Sequence, residues 1–172
     1  LSAVVGEVQR LPVEHVADLV GANLTYRLVL GLSILGEHLS EEVAGVLRLP
    51  RGFAVDVAPG TTLLAGPAAL LEIHGNLTMR GTPAAPIQLR GATALPWGTF
   101  GVVGEREHPV RVEASYTTVH GGTGSTAGST NFTGAFAIYF ADVRLDHFSV
   151  EDNQSEDALN VKWQNLSPGL NL

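Results

Sequence analysis

The chain has 172 residues, of which 45% are hydrophobic and 16% are charged, and its formal net charge is -7. This composition is typical of one folded domain with a core, and it excludes an intrinsically disordered chain. Ten lysines and arginines against seventeen acidic residues leave no basic surface for a nucleic-acid partner. The absence of cysteine excludes disulfides, a thiolate nucleophile and cysteine-ligated metal. No apolar run reaches the roughly 18 residues of a membrane span.

The first part of the chain, residues 1–45, is predicted to be an N-terminal cap. Apolar residues between Pro12 and Val20 have the spacing of a short amphipathic helix. From Leu24 to Ile34 large apolar residues occupy every second position, which indicates a strand with one buried face. A helix followed by a strand would cover the open end of the structure predicted for the remaining residues.

Between Val46 and Val112 the chain repeats short apolar pairs at offsets of 22–24 residues. Each pair has the period of a β-strand, and a repeat of this length indicates stacked coils with three strands each. We therefore predict an all-β fold, a single-stranded parallel β-helix in residues 46–172, preceded by the capping segment. The inward positions are predicted to stack in three ladders: Leu47, Leu71 and Leu95; Val55, Leu77 and Phe100; Leu63, Ile87 and Val110.

Several segments resemble a known family. They are Val57-Ala-Pro-Gly-Thr-Thr-Leu, Leu71-Glu-Ile-His-Gly-Asn-Leu, Arg80-Gly-Thr-Pro, Pro86-Ile-Gln-Leu, Trp97-Gly, Val143-Arg-Leu-Asp-His-Phe-Ser-Val-Glu-Asp-Asn and Asp157-Ala-Leu-Asn-Val. They look like coils of right-handed parallel β-helix proteins of the pectin-lyase-like superfamily, in particular the noncatalytic modules of large secreted or cell-surface proteins. The resemblance covers residues 46–163 and implies a right-handed solenoid. It implies no single activity, because the superfamily includes lyases, hydrolases, epimerases, adhesins and scaffolds.

A segment rich in glycine, serine and threonine, residues 120–134, interrupts the repeat. It is too long for an ordinary turn and has no strand period, so we predict a loop insertion on the surface of the coils. Two roles are open for it. It is either a lip over a binding groove or a flexible excursion that bears a glycan at Asn131.

Five of the seven asparagines lie in the glycosylation triplet Asn-x-Ser/Thr. This excess predicts a glycoprotein that has passed through a eukaryotic secretory pathway, with an extracellular or cell-surface location. The alternative is that asparagine and threonine are simply common in turns. Within the repeat, Leu77 and Met79 facing inward would place the preceding asparagine outside. The predicted glycosylation sites are Asn23, Asn76, Asn131, Asn153 and Asn165.

Candidate chemistry is concentrated in the last third of the chain. Asp142, Arg144 and Asp146 alternate with apolar residues and should share one strand face. The resemblance implies acidic side chains that hold a cation against a substrate carboxylate, with a basic residue as the proton acceptor. The catalytic candidates are therefore Asp142, Asp146 and Lys162, and the calcium candidates are Asp152, Glu156 and Asp157. The alternative is an outer surface whose acidic residues are merely solvated.

Two functional hypotheses remain. The first is a non-enzymatic structural or interaction module, a glycosylated extracellular scaffold that belongs to a larger protein or assembly. Its partners would be N-linked glycans, and protein partners or neighbouring domains at the open C-terminal end of the coils. The second is a carbohydrate-active enzyme, a polysaccharide lyase or epimerase that uses the acidic patch. The first is favoured because no recognised catalytic motif is present, and no cofactor is expected other than calcium under the second.

Overall fold

The computed structural model describes residues 26–30, 40–43, 45–163 and 165–166. The regular elements in these ranges are β-strands, which we number β1 to β16. The predicted helix between Pro12 and Val20 lies outside the described residues. Within the described ranges no helix is long and apolar enough to cross a membrane.

The larger sheet contains nine strands, all in parallel pairings. Its order is β1-β4-β7-β10-β8-β5-β2, and β14 pairs with β10 and with β16. The nine strands are β1 (Tyr26–Leu30), β2 (Ser40–Val43), β4 (Phe53–Val57), β5 (Thr62–Ala65), β7 (Asn76–Arg80), β8 (Ile87–Gly91), β10 (Val110–His120), β14 (Ala141–Glu151) and β16 (Asn165–Leu166).

The smaller sheet contains five parallel strands in the order β15-β13-β9-β6-β3. These are β3 (Val46–Leu49), β6 (Leu70–Ile73), β9 (Thr99–Val103), β13 (Gly134–Tyr139) and β15 (Asp157–Lys162). The remaining strands, β11 (Ser125–Ala127) and β12 (Thr130–Phe132), form an antiparallel hairpin.

The two halves of the nine-stranded sheet are joined by β10. The first half of β10 pairs with β7, the second half pairs with β8, and β14 pairs along both halves. β10 and β14 both bend at a residue with positive φ, Tyr116 at 44° and His147 at 49°. A single residue in the left-handed region therefore turns each long strand without ending it.

The all-β class is confirmed, but the prediction of a right-handed single-stranded parallel β-helix with coils of 22–24 residues is wrong. The strands are divided between two separate parallel sheets, and the larger sheet branches at β10. The spacing of paired residues is also uneven. Leu47 pairs with Leu71, an offset of 24 residues, whereas Leu71 pairs with Phe100, an offset of 29.

Two of the three predicted ladders are correct in their first step, and the third is wrong throughout. Leu47–Leu71 and Val55–Leu77 are pairs in the structure. Leu95 is not a ladder position, since it is 61% exposed. Likewise Val112, not Phe100, follows Leu77, and Leu63 pairs with Leu89 instead of Ile87. The connections between strands differ in length, and apolar periodicity alone does not detect this.

The inward faces of both sheets form one hydrophobic core. β4 shows the alternation that produces it, because Phe53, Val55 and Val57 are buried while the residues between them are partly exposed. Phe100 and Phe136 stack with ring centroids 5.1 Å apart. Side chains with no exposed surface include Val55, Ile73, Leu77, Met79, Ile87, Val102, Val112, Val119, Phe136, Ile138 and Leu145.

The segment 120–134, predicted as a loop insertion, contains the β11–β12 hairpin, which packs on the outer face of the five-stranded sheet. Phe132 is 1% exposed and stacks on Tyr139 at 5.6 Å. Beneath the Phe132 ring lies Gly101, where a Cβ would come within 2.8 Å of the ring. The Tyr139 hydroxyl donates to the Asn131 carbonyl at 3.2 Å. These contacts hold the hairpin against the sheet.

In the predicted cap, residues 26–30 and 40–43 are described, and they pair in parallel with β4 and β5. These segments are therefore strands of the nine-stranded sheet. The rest of the predicted cap, apart from Gly45, lies outside the described residues.

The corrected register can be tested by comparing Leu95→Ala with Phe100→Ala. Phe100 is 3% exposed and stacks in the core, so its truncation should lower the free energy of unfolding by about 3–5 kcal/mol. Leu95 is exposed, and its truncation should change that free energy by no more than about 0.5 kcal/mol. Denaturant unfolding measures both. Equal losses in the two variants would contradict the register.

The hairpin contact predicts an alkaline loss of stability. Burial, with a smaller contribution from the charge of Asp157, raises the pKa of the Tyr139 phenol above its ordinary value of 10.0. The unfolded chain therefore releases this proton at lower pH than the folded chain, so stability falls as the pH rises from 10 through the folded pKa. Tyr139→Phe should cost about 1 kcal/mol at neutral pH and remove this part of the alkaline loss. Unfolding free energies of both proteins across this pH range provide the measurement, and identical pH profiles would contradict it.

Candidate functional site

The outer face of β7, β10 and β14 presents a regular array of polar side chains. In β14, Val143 and Leu145 are buried, and Asp142, Arg144 and Asp146 alternate with them on the outer face. In β10 the buried residues are Val112 and Ala114, so Arg111, Glu113 and Ser115 occupy the same outer face. The shared face expected for the three polar residues of β14 is present.

Opposite charges lie next to each other in the register of this face. Arg111 pairs with Asp142, and Glu113 pairs with Arg144 on the adjacent strand. Glu113 also accepts a hydrogen bond from Arg80 of β7, with Nη2 and Oε2 2.6 Å apart. Glu113 and Asp142 therefore each have a basic neighbour, which lowers the repulsion between them.

A groove of about 300 Å³ lies on this face where β10 and β14 bend. One wall is formed by Tyr116, whose ring stacks on the His147 imidazole with centroids 4.3 Å apart and planes 16° apart. His147 Nδ1 lies 2.9 Å from Asp146 Oδ1. The groove is lined by Arg80, Glu113, Ala114, Ser115, Tyr116, Arg144 and Asp146.

The groove combines charged and aromatic groups that can bind a polar ligand. Arg144 is exposed and has no ion-pair partner within 4.0 Å in the described part of the chain. Its guanidinium can therefore bind a carboxylate or another oxyanion. Asp146 contacts Nδ1 of His147, and the imidazole ring is exposed. Nε2 is therefore the ring nitrogen that can donate a hydrogen bond to a ligand or accept one from it.

The predicted catalytic residues are not brought together. Asp142 and Asp146 lie on β14 of the nine-stranded sheet, whereas Lys162 lies on β15 of the five-stranded sheet. Lys162 Nζ instead lies 5.3 Å from the centre of the Tyr139 ring. Asp142 and Asp146 are four positions apart in β14, which corresponds to about 13 Å along the strand.

The predicted calcium ligands have separate partners. Asp152 Oδ2 lies 2.9 Å from Nε2 of His120. Asp157 accepts hydrogen bonds from Thr133 Oγ1 at 2.6 Å and Asn160 Nδ2 at 2.7 Å, which is a turn-stabilising role. Glu156 is exposed. Among the residues that the structure describes, no group of three or more His, Cys, Asp or Glu side chains could hold a metal ion.

The predicted glycosylation sites are distributed over several surfaces. Asn76 is exposed at the start of β7, and Asn131 is exposed on the hairpin strand β12. Asn153 is half-buried in the connection between β14 and β15. Asn165 begins β16, and Asn23 lies outside the described residues.

Arg80, Glu113 and Tyr116 line the groove and His147 stacks on Tyr116 beside it, but none of the four was predicted as a site residue. The alternation in β7 and β10 would have placed the first two on an outer face. The sequence does not show that Arg80 and Glu113 are in contact, because they are 33 positions apart in the chain. The sequence analysis did not predict the bend at His147, because positive φ is uncommon for any non-glycine residue, even for histidine, which is among the residues enriched there.

The charge pairing across β7 and β10 predicts a small, salt-sensitive coupling. In a double-mutant cycle of Arg80→Ala and Glu113→Ala, the interaction should contribute about 0.2–1 kcal/mol to unfolding at low salt. It should vanish near 1 M salt, where the screening length is about 3 Å. The matched control is a second cycle, of Arg90→Ala and Glu113→Ala. Arg90 is exposed on β8, and this cycle should show no coupling. A salt-independent coupling would contradict the ion pair.

The chain was compared with family models, with curated protein sequences and with solved structures, and no match was found in any of the three. The resemblance to modules of the pectin-lyase-like superfamily, stated above from short segments, therefore stays a prediction.

Proposed function

We propose that the protein is a non-enzymatic interaction module, an extracellular or cell-surface all-β scaffold that carries N-linked glycans. One observation carries the proposal. The residues that the catalytic hypothesis needs are divided between two sheets, with Asp142 and Asp146 on one and Lys162 on the other. A proton acceptor must come within hydrogen-bond reach of the group that it deprotonates, and this division works against a shared site.

The construction of the sheets supports a scaffold role. The core alternation extends through both sheets, and two pairs of outer residues with opposite charge, Arg111 with Asp142 and Glu113 with Arg144, are in register on β10 and β14. Such a face is rigid, because each outer side chain projects from a paired strand with a buried neighbour on either side. The groove at the bend of β10 and β14 is the natural contact surface, since Arg144 and the Tyr116–His147 stack offer charge and an aromatic wall.

The asparagine triplets support the location. Asn76 and Asn131 are exposed on two different faces, where a glycan has room. A chain without cysteine depends on its packed core and not on disulfides for stability outside the cell. Protein partners or neighbouring domains are proposed to contact the strand edges and the groove.

The second candidate function is a carbohydrate-active enzyme, a lyase or epimerase. It is favoured by the Asp146–His147 pair beside the groove, because an imidazole held at Nδ1 by a carboxylate can accept a proton at Nε2. Arg144 would then bind the carboxylate of an acidic sugar.

A turnover assay distinguishes the two functions. The wild-type chain is incubated with a panel of acidic polysaccharides, with and without calcium, and new chain ends and epimerised sugars are measured. We expect no turnover. Turnover that is lost in Asp142→Ala/Asp146→Ala, or in His147→Ala, but kept in Arg90→Ala would establish the enzyme instead.

The scaffold proposal also expects the chain to be secreted with glycans from a eukaryotic cell, and a secreted product whose mass is unchanged by glycan removal would contradict it.

A further inference from the structure

We propose that Asn76 and Asn131 bear N-linked glycans, and that Asn153 remains largely unmodified although its triplet is intact. This inference rests on the proposed function, because it requires passage through a secretory pathway. It concerns the orientation of three side-chain amides, which the triplet alone does not reveal. A glycan is attached to Nδ2, so the position of that atom decides which site is open.

At Asn76 the amide is oriented with its oxygen toward the sheet. Oδ1 accepts a hydrogen bond from the backbone N–H of Arg111 at 2.8 Å. Only the oxygen of the amide can accept from an N–H, so the assignment of the two amide atoms is determined by chemistry. Nδ2 therefore points away from this bond, and it has no hydrogen-bond partner among the described residues. The neighbour in register on β4 is Ala54, whose small side chain leaves space beside the amide.

Asn131 has the same arrangement on the hairpin. Its Oδ1 accepts from the Thr126 hydroxyl of the facing strand at 3.2 Å. Its backbone carbonyl accepts from the Tyr139 hydroxyl, which fixes the backbone while the side chain stays exposed. Both exposed asparagines thus use the amide oxygen for structure and leave the nitrogen to solvent.

At Asn153 the orientation is reversed. Nδ2 donates to the carbonyl oxygen of Ser155 at 3.3 Å and contacts the Ser155 hydroxyl at 3.0 Å. The Ser155 hydroxyl in turn donates to the carbonyl of Asp157 at 2.5 Å. The attachment atom and the hydroxyl of the same triplet are therefore both engaged in one half-buried turn.

The sequence separation of these contacts decides whether they can act before the chain has folded. The bonds of Asn153 reach only two residues along the chain. Such local turns form as soon as the segment is free to move. The bond of Asn76 needs Arg111, which is 35 residues further on, and it does not involve Nδ2. Asn76 is thus open both during synthesis and after folding, whereas Asn153 closes early.

The chemical step requires a glycosyl donor from the host, an oligosaccharide linked to a lipid through a diphosphate. The amide nitrogen attacks the anomeric carbon of the donor, so that an N–C bond forms and the glycosyl C–O bond to phosphate breaks. The electron pair leaves with the lipid diphosphate, and the amide proton passes to a base of the transferase. An Nδ2 atom that is donating both of its hydrogens to Ser155 has to give up at least one of these bonds first.

Site mapping on the full chain secreted by eukaryotic cells tests the proposal. Glycans are removed by an amidase in heavy-oxygen water, so that every occupied asparagine becomes a labelled aspartate, and peptides are then quantified by mass spectrometry. We expect label at Asn76 and Asn131 and a several-fold lower fraction labelled at Asn153. Asn76→Gln and Asn131→Gln should each remove one glycan from the intact mass, and the matched control Asn153→Gln should leave it unchanged.

The outcomes separate this inference from the proposed function. Label at Asn153 equal to that at Asn76 overturns the inference and leaves the secreted scaffold standing. A secreted chain with no label at any asparagine overturns both. Ser155→Asn keeps a hydrogen-bonding side chain but destroys the triplet, so any glycan that persists at Asn153 in this variant marks a mapping error and not a site.

Discussion

The pairing of β10 with β7, β8 and β14 is the constraint on which the described structure depends. These strands are parallel, so no tight turn between neighbours sets their register. The register is instead held by buried side chains, with Val112 between Leu77 and Val143. A slip by one residue would turn Val112 to solvent and carry charged residues into the core. The outer charges and the groove are therefore positioned by the packing of apolar residues on the opposite face.

Each of the long strands β10 and β14 bends at an aromatic residue with positive φ, and the rings of these two residues stack on each other. Tyr116 and His147 both have positive φ, and their rings stack at 4.3 Å. Phe140 and Trp163 repeat the arrangement at another bend, with φ of 50° and 52° and rings 4.7 Å apart. A non-glycine residue in this region costs about 1–3 kcal/mol, and the ring contact offsets part of that cost. At the first of these bends the same geometry forms the wall of the groove.

Sequence patterns predicted local features well and distant ones poorly. The alternation of Asp142, Arg144 and Asp146 with apolar residues placed them on one face, and β14 has this face. The repeat correctly paired Leu47 with Leu71, but it failed at Leu95 because the connection before β9 is longer than the repeat allows. Lys162 was grouped with the two aspartates by closeness in the chain, whereas the structure places it on the other sheet. The prediction of one uniform solenoid was wrong for the same reason, because closeness and spacing in the chain do not show which strands pair.

The amino-acid sequence alone is enough to identify which residues can face the core, the net charge, the absence of thiol chemistry and the positions of the asparagine triplets. Each of these is read from residues one or two positions apart, because a strand alternates with a period of two. The folded chain was needed to learn which strands are neighbours, that Arg80 reaches Glu113, and how the side-chain amides of Asn76 and Asn153 are oriented. The physical reason is that parallel partners lie more than twenty residues apart, and the lengths of the turns between them, not the strands themselves, select the register.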